Sequence, residues 1–458
     1  MNRFILLLAF LAGCAATKPY ERPAVELPAA WKEIGPRFAQ DGKWWRIYED
    51  SVLDDLISES LSKNTDLLIA AARVDESRAI IGEVEAGYLP TLDARGSAVR
   101  QRTSTRTAVS SSGAPREYST YRGTLNLTYE ADLFGRIRSS ARAARAELEA
   151  SEAARDAVRL ALAAQVAKSY FTLRALGEQV ELTRQTVGLR DAALGLQRKR
   201  YDAGVLSQFE LRQLEAETAG VRTQLPPLER DREREEAALA VLLGRTPKEI
   251  FESSLKVKLV EGEKPGAPVL PPGMPSELLL RRPDVVEAER HLAAANARVA
   301  AARAEIFPSI ALTGALGSES AALSDLFTGG AGLWSIGLAL TQPIFAGGRL
   351  EARTEQAAAR ERALVAQYQK TIQTAFSETR TALAVQARSR ESYDAESARA
   401  DALADSARLA RLRYANGVAS QLDVIDAERG LLAARVARIE ALRAHRAAIA
   451  DLFRALGG

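Results

Sequence analysis

Four segments of the chain alternate between apolar and polar residues with a period of two. They form two pairs, one at about 91–101 and 118–131 and the other at about 309–318 and 332–342. From Tyr121 to Glu130, for example, the odd positions are apolar or glycine and the even positions are polar. Alternation of this kind predicts β-strands, so each pair predicts a strand, a loop and a returning strand.

A long helix is predicted after each strand pair. Residues 136–203 contain no proline and only three glycines, and residues 349–416 contain neither residue type. Each stretch is 68 residues long. As a single α-helix, each would extend roughly 100 Å at about 1.5 Å per residue.

Both long stretches end in copies of one motif, at 200–210 and 413–423, which align without a gap at a spacing of 213 residues. Each copy carries a glycine, which can take the left-handed conformation that ends a helix, and three residues later a serine, which is a good N-cap. These residues are Gly204, Ser207, Gly417 and Ser420. Each copy therefore predicts the tight turn of a helical hairpin.

Shorter helices complete each repeat. They are predicted at 64–88 and 206–243 in the first repeat and at 283–306 and 418–456 in the second. Each pair totals 63 residues, close to the length of the long helix. Two short helices stacked end to end are therefore expected beside each long one, and Pro226-Pro227 should kink or break its helix.

The chain is thus predicted to be mainly α, with a β portion, built from a duplicated helix–strand–strand–long helix–turn–helix unit. The copies span 63–243 and 283–458, and a proline-rich connector at 244–282 separates them. Residues 14–62 hold an extended linker and a small packed segment near Trp44.

The predicted strands have the length and pattern of transmembrane strands, which need about 9–11 residues. A soluble pair of hairpins that caps a coiled coil would show the same alternation. In lipid, however, four strands cannot close a barrel and open sheet edges are not tolerated. Chains must then combine: two copies give eight strands with a filled interior, and three give twelve strands with room for a lumen.

Charge and composition narrow the function further. The 62 basic and 59 acidic residues give a net charge of +3 and are interspersed, whereas a nucleic-acid surface needs clustered positive charge. One cysteine and two histidines in 458 residues leave too few ligands for a zinc site and exclude a disulfide within the chain. We expect no metal and no nucleic-acid partner.

The N-terminus predicts export. Arg3 is followed by the apolar run 4–11, which is too short to span a bilayer but suits the core of a signal peptide at 1–13. The sequence Leu-Ala-Gly-Cys that ends at Cys14 resembles the lipobox of bacterial lipoproteins, which implies a covalent lipid on Cys14. In that family an aspartate after the cysteine favours retention in the inner membrane, so Ala15 implies the outer membrane.

The ordered set of motifs along the chain resembles the TolC family of outer-membrane factors, in the lipoprotein branch that serves tripartite (RND-type) efflux systems. No single motif is diagnostic, but their order and duplication are specific. Besides the lipobox, the matching stretches are Asn64-Thr65-Asp66-Leu67, Tyr88-Leu89-Pro90-Thr91-Leu92, Asp132-Leu133-Phe134-Gly135-Arg136, Arg281-Arg282-Pro283-Asp284-Val285, Pro343-Ile344-Phe345-Ala346-Gly347-Gly348-Arg349 and Ala455-Leu456-Gly457-Gly458.

The resemblance implies a homotrimer with a 12-strand β-barrel in the outer membrane and a 12-column α-barrel in the periplasm. The segments near 37–62 and 244–280, together with the C-terminus, would form an equatorial domain. The two turns would be the periplasmic tip, where an adaptor docks. The docking residues would be Gly204, Val205, Leu206, Ser207, Gly417, Val418, Ala419 and Ser420.

The same resemblance implies a gate on the helix after the second turn. Its residues would be Leu422, Asp423, Asp426 and Arg429. Where the second turn has these two aspartates, the first has Glu210 and Gln213, and Ala216 corresponds to Arg429. The second hairpin is therefore expected to form the inner constriction. Some family members carry a basic residue in the turn where this chain has Ala419.

The expected function is a passive exit duct of a tripartite efflux pump, without catalytic residues and without a cofactor apart from the lipid on Cys14. The partners implied are a periplasmic membrane-fusion adaptor, an inner-membrane efflux transporter, outer-membrane lipid and further copies of the chain. The alternative is a periplasmic coiled-coil adaptor lipoprotein, and an envelope-degrading enzyme is a remote third. The sequence leaves the cargo open among drugs, metals and solvents.

Overall fold

The computed structural model describes residues 20–24, 43–104, 106, 116–252 and 280–458. Cys14 and the signal segment 1–13 lie outside these residues, as does most of the connector. The described chain divides into two compact units. The first contains 20–24, Arg73–Glu152 and Glu287–Gln369, and the second contains 43–72, Ala153–Val286 and Lys370–Gly458.

The first unit holds one antiparallel sheet in the order β1-β2-β3-β4. Its strands are β1 (Thr91–Arg102), β2 (Glu117–Ala131), β3 (Ser309–Ser320) and β4 (Gly332–Thr341). Each end lies within two residues of the segment that alternation predicted. The β1–β2 and β3–β4 pairs join through β2 and β3, where Leu125 lies opposite Leu316.

Helices make up most of the described chain. In chain order they are α1 (Ser51–Lys63), α2 (Thr65–Glu85), α3 (Arg136–Asp202), α4 (Gln208–Arg222), α5 (Leu225–Leu242), α6 (Pro247–Glu252), α7 (Pro283–Ala304), α8 (Arg349–Ala415) and α9 (Gln421–Leu456). Short 3₁₀ turns lie at Trp44–Tyr48, Ala86–Tyr88 and Leu323–Asp325. No described helix combines the length and the apolar character that a bilayer-crossing helix requires.

Several helix ends differ from the sequence prediction for local reasons. The helix predicted at 64–88 stops at Glu85, since a 3₁₀ turn precedes Pro90. It starts one residue later than predicted, because Asn64 is its N-cap and accepts hydrogen bonds from the Asp66 and Leu67 amides. The helices predicted to begin at 206 and 418 begin at Gln208 and Gln421. Their serine caps have extended backbone and stand just outside the helix.

The proline pair breaks the return helix of the first repeat, as predicted. α4 ends at Arg222 and α5 begins at Leu225, with the prolines in its first turn. Proline is tolerated there because the first amides of a helix have no intrahelical acceptor. The corresponding arm of the second repeat, α9, is one helix of 36 residues.

An aromatic core organises the second unit. Trp44 stacks on Phe453 with ring centroids 5.3 Å apart, and Tyr48 meets Phe171 edge-on at 4.7 Å. The predicted packed segment near Trp44 thus supplies part of this core. Beside it, Asp50 caps α1 and also accepts hydrogen bonds from the Tyr170 hydroxyl at 2.6 Å and Arg174 at 3.0 Å. Burial raises the pKa of the Tyr170 hydroxyl, so it remains a donor to that carboxylate.

Two close contacts in the second unit need particular residues. Gly244 has a positive φ of 70°. A Cβ there would lie 2.3 Å from the Lys63 carbonyl oxygen, so only glycine lets the end of α5 approach α1 this closely. The buried Arg282 donates to the Ala455 carbonyl at 2.7 Å and pairs with Glu378 at 2.8 Å. It therefore holds the C-terminal end of α9.

Candidate functional site

The two predicted turns lie within the second unit and share one backbone geometry. Gly204 and Gly417 have φ of 74° and 73°. The next amide in each turn donates back to the long helix, Val205 to Arg200 and Val418 to Arg413, both at 2.9 Å. Apart from the adjacent residues, no atom of the described chain lies within 4 Å of a Cβ built on either glycine, so backbone conformation, not space, favours glycine here.

Each turn is followed by a capping box, in which two side chains satisfy each other's backbone amides. The Ser207 hydroxyl accepts from the Glu210 amide at 3.2 Å, and the Glu210 carboxylate accepts from the Ser207 amide at 3.0 Å. The second copy repeats this between Ser420 and Asp423 at 3.2 and 2.8 Å. The serines were expected as caps. The acid three residues after each serine is the sequence signal for the full box, and it had not been predicted to take part.

The capping box defines the electrostatic state of one candidate gate residue. The hydrogen bond from the Ser420 amide lowers the pKa of Asp423, and the bond from Ser207 lowers that of Glu210 in the same way. Both carboxylates are therefore ionised at neutral pH. The Asp423 carboxylate turns back toward Ser420, whereas Leu422, Asp426 and Arg429 share a face of α9 at helical spacing.

We define the first hairpin as the end of α3, its turn and α4, and the second as the end of α8, its turn and the start of α9. Each hairpin carries an ion pair between its two helices at the same place in the repeat. Arg198 meets Glu215 at 2.9 Å, and Arg411 meets Glu428 at 2.9 Å. Residues that correspond at the 213-residue spacing therefore make equivalent contacts in the two hairpins.

Within the described residues, an apolar cluster joins the two hairpins. Ile425 of the second hairpin is buried against Leu194, Leu211 and Leu214 of the first, and Leu206 packs at the edge. Removing these side chains from water is the main stabilising contribution to this contact.

Polar contacts surround the apolar one. Arg429 forms an ion pair with Glu217 of the first hairpin and lies 3.5 Å from Asp426 on its own helix. Nearer the turns, the Tyr414 hydroxyl accepts a hydrogen bond from Arg200 at 3.1 Å. The arginine proposed for the gate is thus engaged within the chain.

Most of the remaining candidate residues are exposed, whereas Leu206 and Ala419 are half-buried. The side chains of Val205 and Val418 are 66% and 64% exposed at the two turns. Leu422 is also exposed, and the Asp426 side chain retains 59% of its accessible surface. Within the described ranges, histidines, cysteines and acids do not gather into a group that could hold a metal ion.

Comparisons with known proteins agree over nearly the full length. The family described as "Outer membrane efflux protein" matches residues 56–245 and 274–458. The chain is 35% identical over 473 residues to the probable efflux pump outer membrane protein TtgC of Pseudomonas putida, covering 100% of this chain and 96% of that protein. It is 32% identical over 461 residues to the probable outer membrane lipoprotein SilC of Salmonella typhimurium, covering 99% and 97%.

A solved structure shows the same fold. The chain is similar to the open state of the MtrE outer membrane channel of Neisseria gonorrhoeae, with a TM-score of 0.82 and 33% identity. The likeness covers 97% of this chain and 98% of MtrE.

Proposed function

This chain belongs to the outer membrane efflux protein family, and we propose that it is the outer-membrane exit duct of a tripartite efflux system. Cargo delivered by an inner-membrane transporter and a periplasmic adaptor passes through it to the exterior without chemistry in the duct. The energy for transport comes from the inner-membrane component.

One observation carries this proposal: the sheet presents a row of large apolar side chains that no part of the described chain covers. In β4 this row is Trp334, Ile336, Leu338 and Leu340, which are between 66% and 77% exposed. The residues between them are mostly small or polar, such as Ser335 and Gly337. In water such a row would cost free energy in proportion to its apolar area, whereas lipid accommodates it.

The edges of the sheet support association with further copies. In the part of the chain that the structure describes, β1 and β4 each pair on one side only. Unpaired amide and carbonyl groups are too costly in the hydrocarbon region, so β4 of one copy must pair with β1 of the next. Three copies give a 12-strand barrel with a lumen, and we propose a homotrimer.

The duct is tested by fractionation and electrophoresis. The chain should be found in the outer membrane and migrate as a trimer in mild detergent, collapsing to a monomer on heating. Deletion of the gene should sensitise cells to at least one class of cargo, and a toxicity panel would identify that class. A protein extracted by salt as a soluble monomer would contradict the proposal.

We propose that Leu422, Asp423, Asp426 and Arg429 form the gate of this duct. Support comes from the exposed acid Asp426. The equivalent position of the first hairpin holds the uncharged Gln213. In a trimer three copies of Asp426 and three of Asp423 would surround the axis. Like charges at close range repel unless cations or arginines intervene, which suits a closure that a partner can release.

The gate is tested by single-channel conductance in planar bilayers. The variant Asp423→Ala/Asp426→Ala should show higher conductance and weaker block by divalent cations than the native channel. Glu210→Ala/Gln213→Ala is the matched control, because it changes the equivalent positions of the first hairpin. Equal effects of both variants, or none, would contradict a gate confined to the second hairpin.

We also propose that the two turns are the adaptor-docking surface. Val205 and Val418 offer exposed apolar contacts on a rigid, capped turn, and the neighbouring glycines leave the backbone accessible. A photo-crosslinking residue at Val205 or Val418 should capture the adaptor in cells. The same residue at the exposed Leu189 of α3, fifteen residues before Gly204, is the control and should not.

The lipid anchor is a separate proposal. It rests on the lipobox at Cys14 and on the name of the lipoprotein SilC. Cys14→Ser should abolish labelling by radioactive palmitate, and labelling that persists would contradict the anchor.

A further inference from the structure

The two hairpins are copies of one repeat, so each residue of the contact between them has an equivalent 213 residues away in the other hairpin. These equivalent residues could form a second contact of the same kind. Arg200 of the first hairpin donates to the Tyr414 hydroxyl of the second at 3.1 Å. The residues that correspond to these two are Arg413 and Tyr201. Both residue types are therefore present again, with the arginine now on the second hairpin and the tyrosine on the first.

The two hairpins have closely similar local structures. The turns have φ within one degree of each other, both capping boxes form, and the ion pairs Arg198–Glu215 and Arg411–Glu428 have the same length. The movement that places the first hairpin on the second therefore places the second hairpin on a third position. In a closed ring of identical chains, the first hairpin of the next copy occupies that position.

We infer that the second hairpin binds the first hairpin of a neighbouring copy of this chain, with Arg413 donating to the Tyr201 hydroxyl across the subunit boundary. This inference rests on the proposed homotrimer. It assigns a contact between subunits that the single chain does not contain.

Tyr201 and Arg413 are both accessible for a hydrogen bond to a neighbouring copy. The Tyr201 side chain is 38% exposed, and among the described residues its hydroxyl has no hydrogen-bond partner. Among the described residues, the Arg413 side chain donates one weak hydrogen bond, to the Val418 carbonyl of its own turn at 3.5 Å, and its charge also acts on Asp423. Its remaining donors are available to a neighbour.

The boundary contact is weaker than the contact within the chain, because two of its components have changed. Arg212 stands where Ile425 stands in the second hairpin, so the apolar side chain that fills the pocket within the chain has no counterpart. Ala216 and Gly430 stand at the positions of Arg429 and Glu217, so that ion pair is also missing. The two hairpins of one chain are thus held more firmly to each other than to a neighbour.

Thiol cross-linking tests the boundary contact in the intact membrane protein. The double variant Tyr201→Cys/Arg413→Cys is treated with a bismaleimide whose length matches an arginine and a tyrosine end to end. Denaturing gels should show dimers and trimers. Each single variant and the native chain, whose one cysteine is Cys14, should stay monomeric.

Two controls fix the interpretation. Arg200→Cys/Tyr414→Cys should cross-link within one chain and give only a monomer of altered mobility. Co-expression of the two single variants should give dimers but no trimers, because each boundary then holds at most one reactive pair and no chain carries both thiols.

The outcomes separate the inference from the proposed function. Internal cross-linking of the Arg200/Tyr414 pair without a ladder from the Tyr201/Arg413 pair, in protein that an amine cross-linker shows to be trimeric, overturns the inference and leaves the duct standing. If the amine cross-linker captures only monomers, the proposed trimer fails and the inference fails with it.

Discussion

The first and second hairpins have the same frame and different contacts. Both end in a glycine turn, a serine cap with an acidic partner and an ion pair between their helices. The positions that meet other parts of the molecule have diverged: Ile425 corresponds to Arg212, and Arg429 to Ala216. The residues that fold each hairpin are thus alike in the two copies, whereas the residues that contact other parts of the chain differ.

The largest effect is expected from removing Ile425, the residue of the second hairpin that is buried against the first. Ile425→Ala removes a buried side chain from the Leu194, Leu211 and Leu214 pocket, and we expect a loss of about 2–5 kcal/mol. Native-state hydrogen exchange of the tip amides measures it as a lower free energy of local opening. The control is Arg212→Ala at the equivalent, largely exposed position, where we expect about 0.5 kcal/mol or less. Equal losses would mean that the hairpins are interchangeable.

Changes to the shared frame should affect both hairpins alike. Gly204→Ala and Gly417→Ala each place a Cβ in the left-handed region, at a cost of about 1–2 kcal/mol. Gly430→Ala is the control of opposite sign: it lies inside α9, where a Cβ would meet Leu403 at an ordinary 3.6 Å, and it should stabilise by about 0.5–1 kcal/mol. Thermal unfolding of purified protein measures all three. A loss confined to one turn would show that the frames differ.

The caps should contribute somewhat less, and again equally. Ser207→Ala and Ser420→Ala each remove the acceptor of one helix amide, which costs about 1 kcal/mol. Hydrogen exchange at residues 208–211 and 421–424 reports each cap by itself. Replacement by asparagine, another good N-cap, should restore most of the protection, and its failure would contradict a capping role.

Acid should weaken the same caps. The folded-state pKa values of Glu210 and Asp423 lie below their ordinary values of 4.5 and 3.8, because serine amides donate to the ionised carboxylates. The stabilisation is therefore complete above those ordinary values and is lost as the pH falls through the folded-state values. Protection of the two turns, measured by hydrogen exchange, should decline only in that acidic range. Glu210→Gln and Asp423→Asn should flatten the decline, and an unchanged profile would contradict this origin.

The smallest effect concerns the exposed ion pair at the edge of the hairpin contact. Arg429→Ala and Glu217→Ala, combined in a double-mutant cycle, should give a coupling of about 0.2–1 kcal/mol, as is usual for exposed pairs. The coupling should shrink as salt is added. A coupling of several kcal/mol would move the main stabilising contact from Ile425 to this pair.

The sequence predicted the elements that depend on local signals. Strand alternation located the sheet to within two residues, the proline pair marked the break between α4 and α5, and glycine and serine located both turns. These features depend on backbone preferences of neighbouring residues, which one sequence contains.

Contacts between distant residues were beyond the same reasoning. Nothing in the sequence indicated that Ile425 fills a pocket of the first hairpin or that Arg282 holds the Ala455 carbonyl. Each depends on which helix faces face each other, and helical periodicity gives the apolar face of a helix without naming its partner. The gate and the docking surface remain predictions for the same reason.

The proline break gives the two return arms different mechanics. The return arm of the first repeat consists of two helices, α4 and α5, with a break at Thr223–Gln224, whereas α9 is a single helix of about 54 Å at about 1.5 Å per residue. Arg282 holds the C-terminal end of that helix, and Asp426 lies near its N-terminal end, where Ile425 packs on the first hairpin. A force on the second turn is therefore transmitted along one continuous helix to the contact at Arg282, whereas from the first turn it must cross the break between α4 and α5.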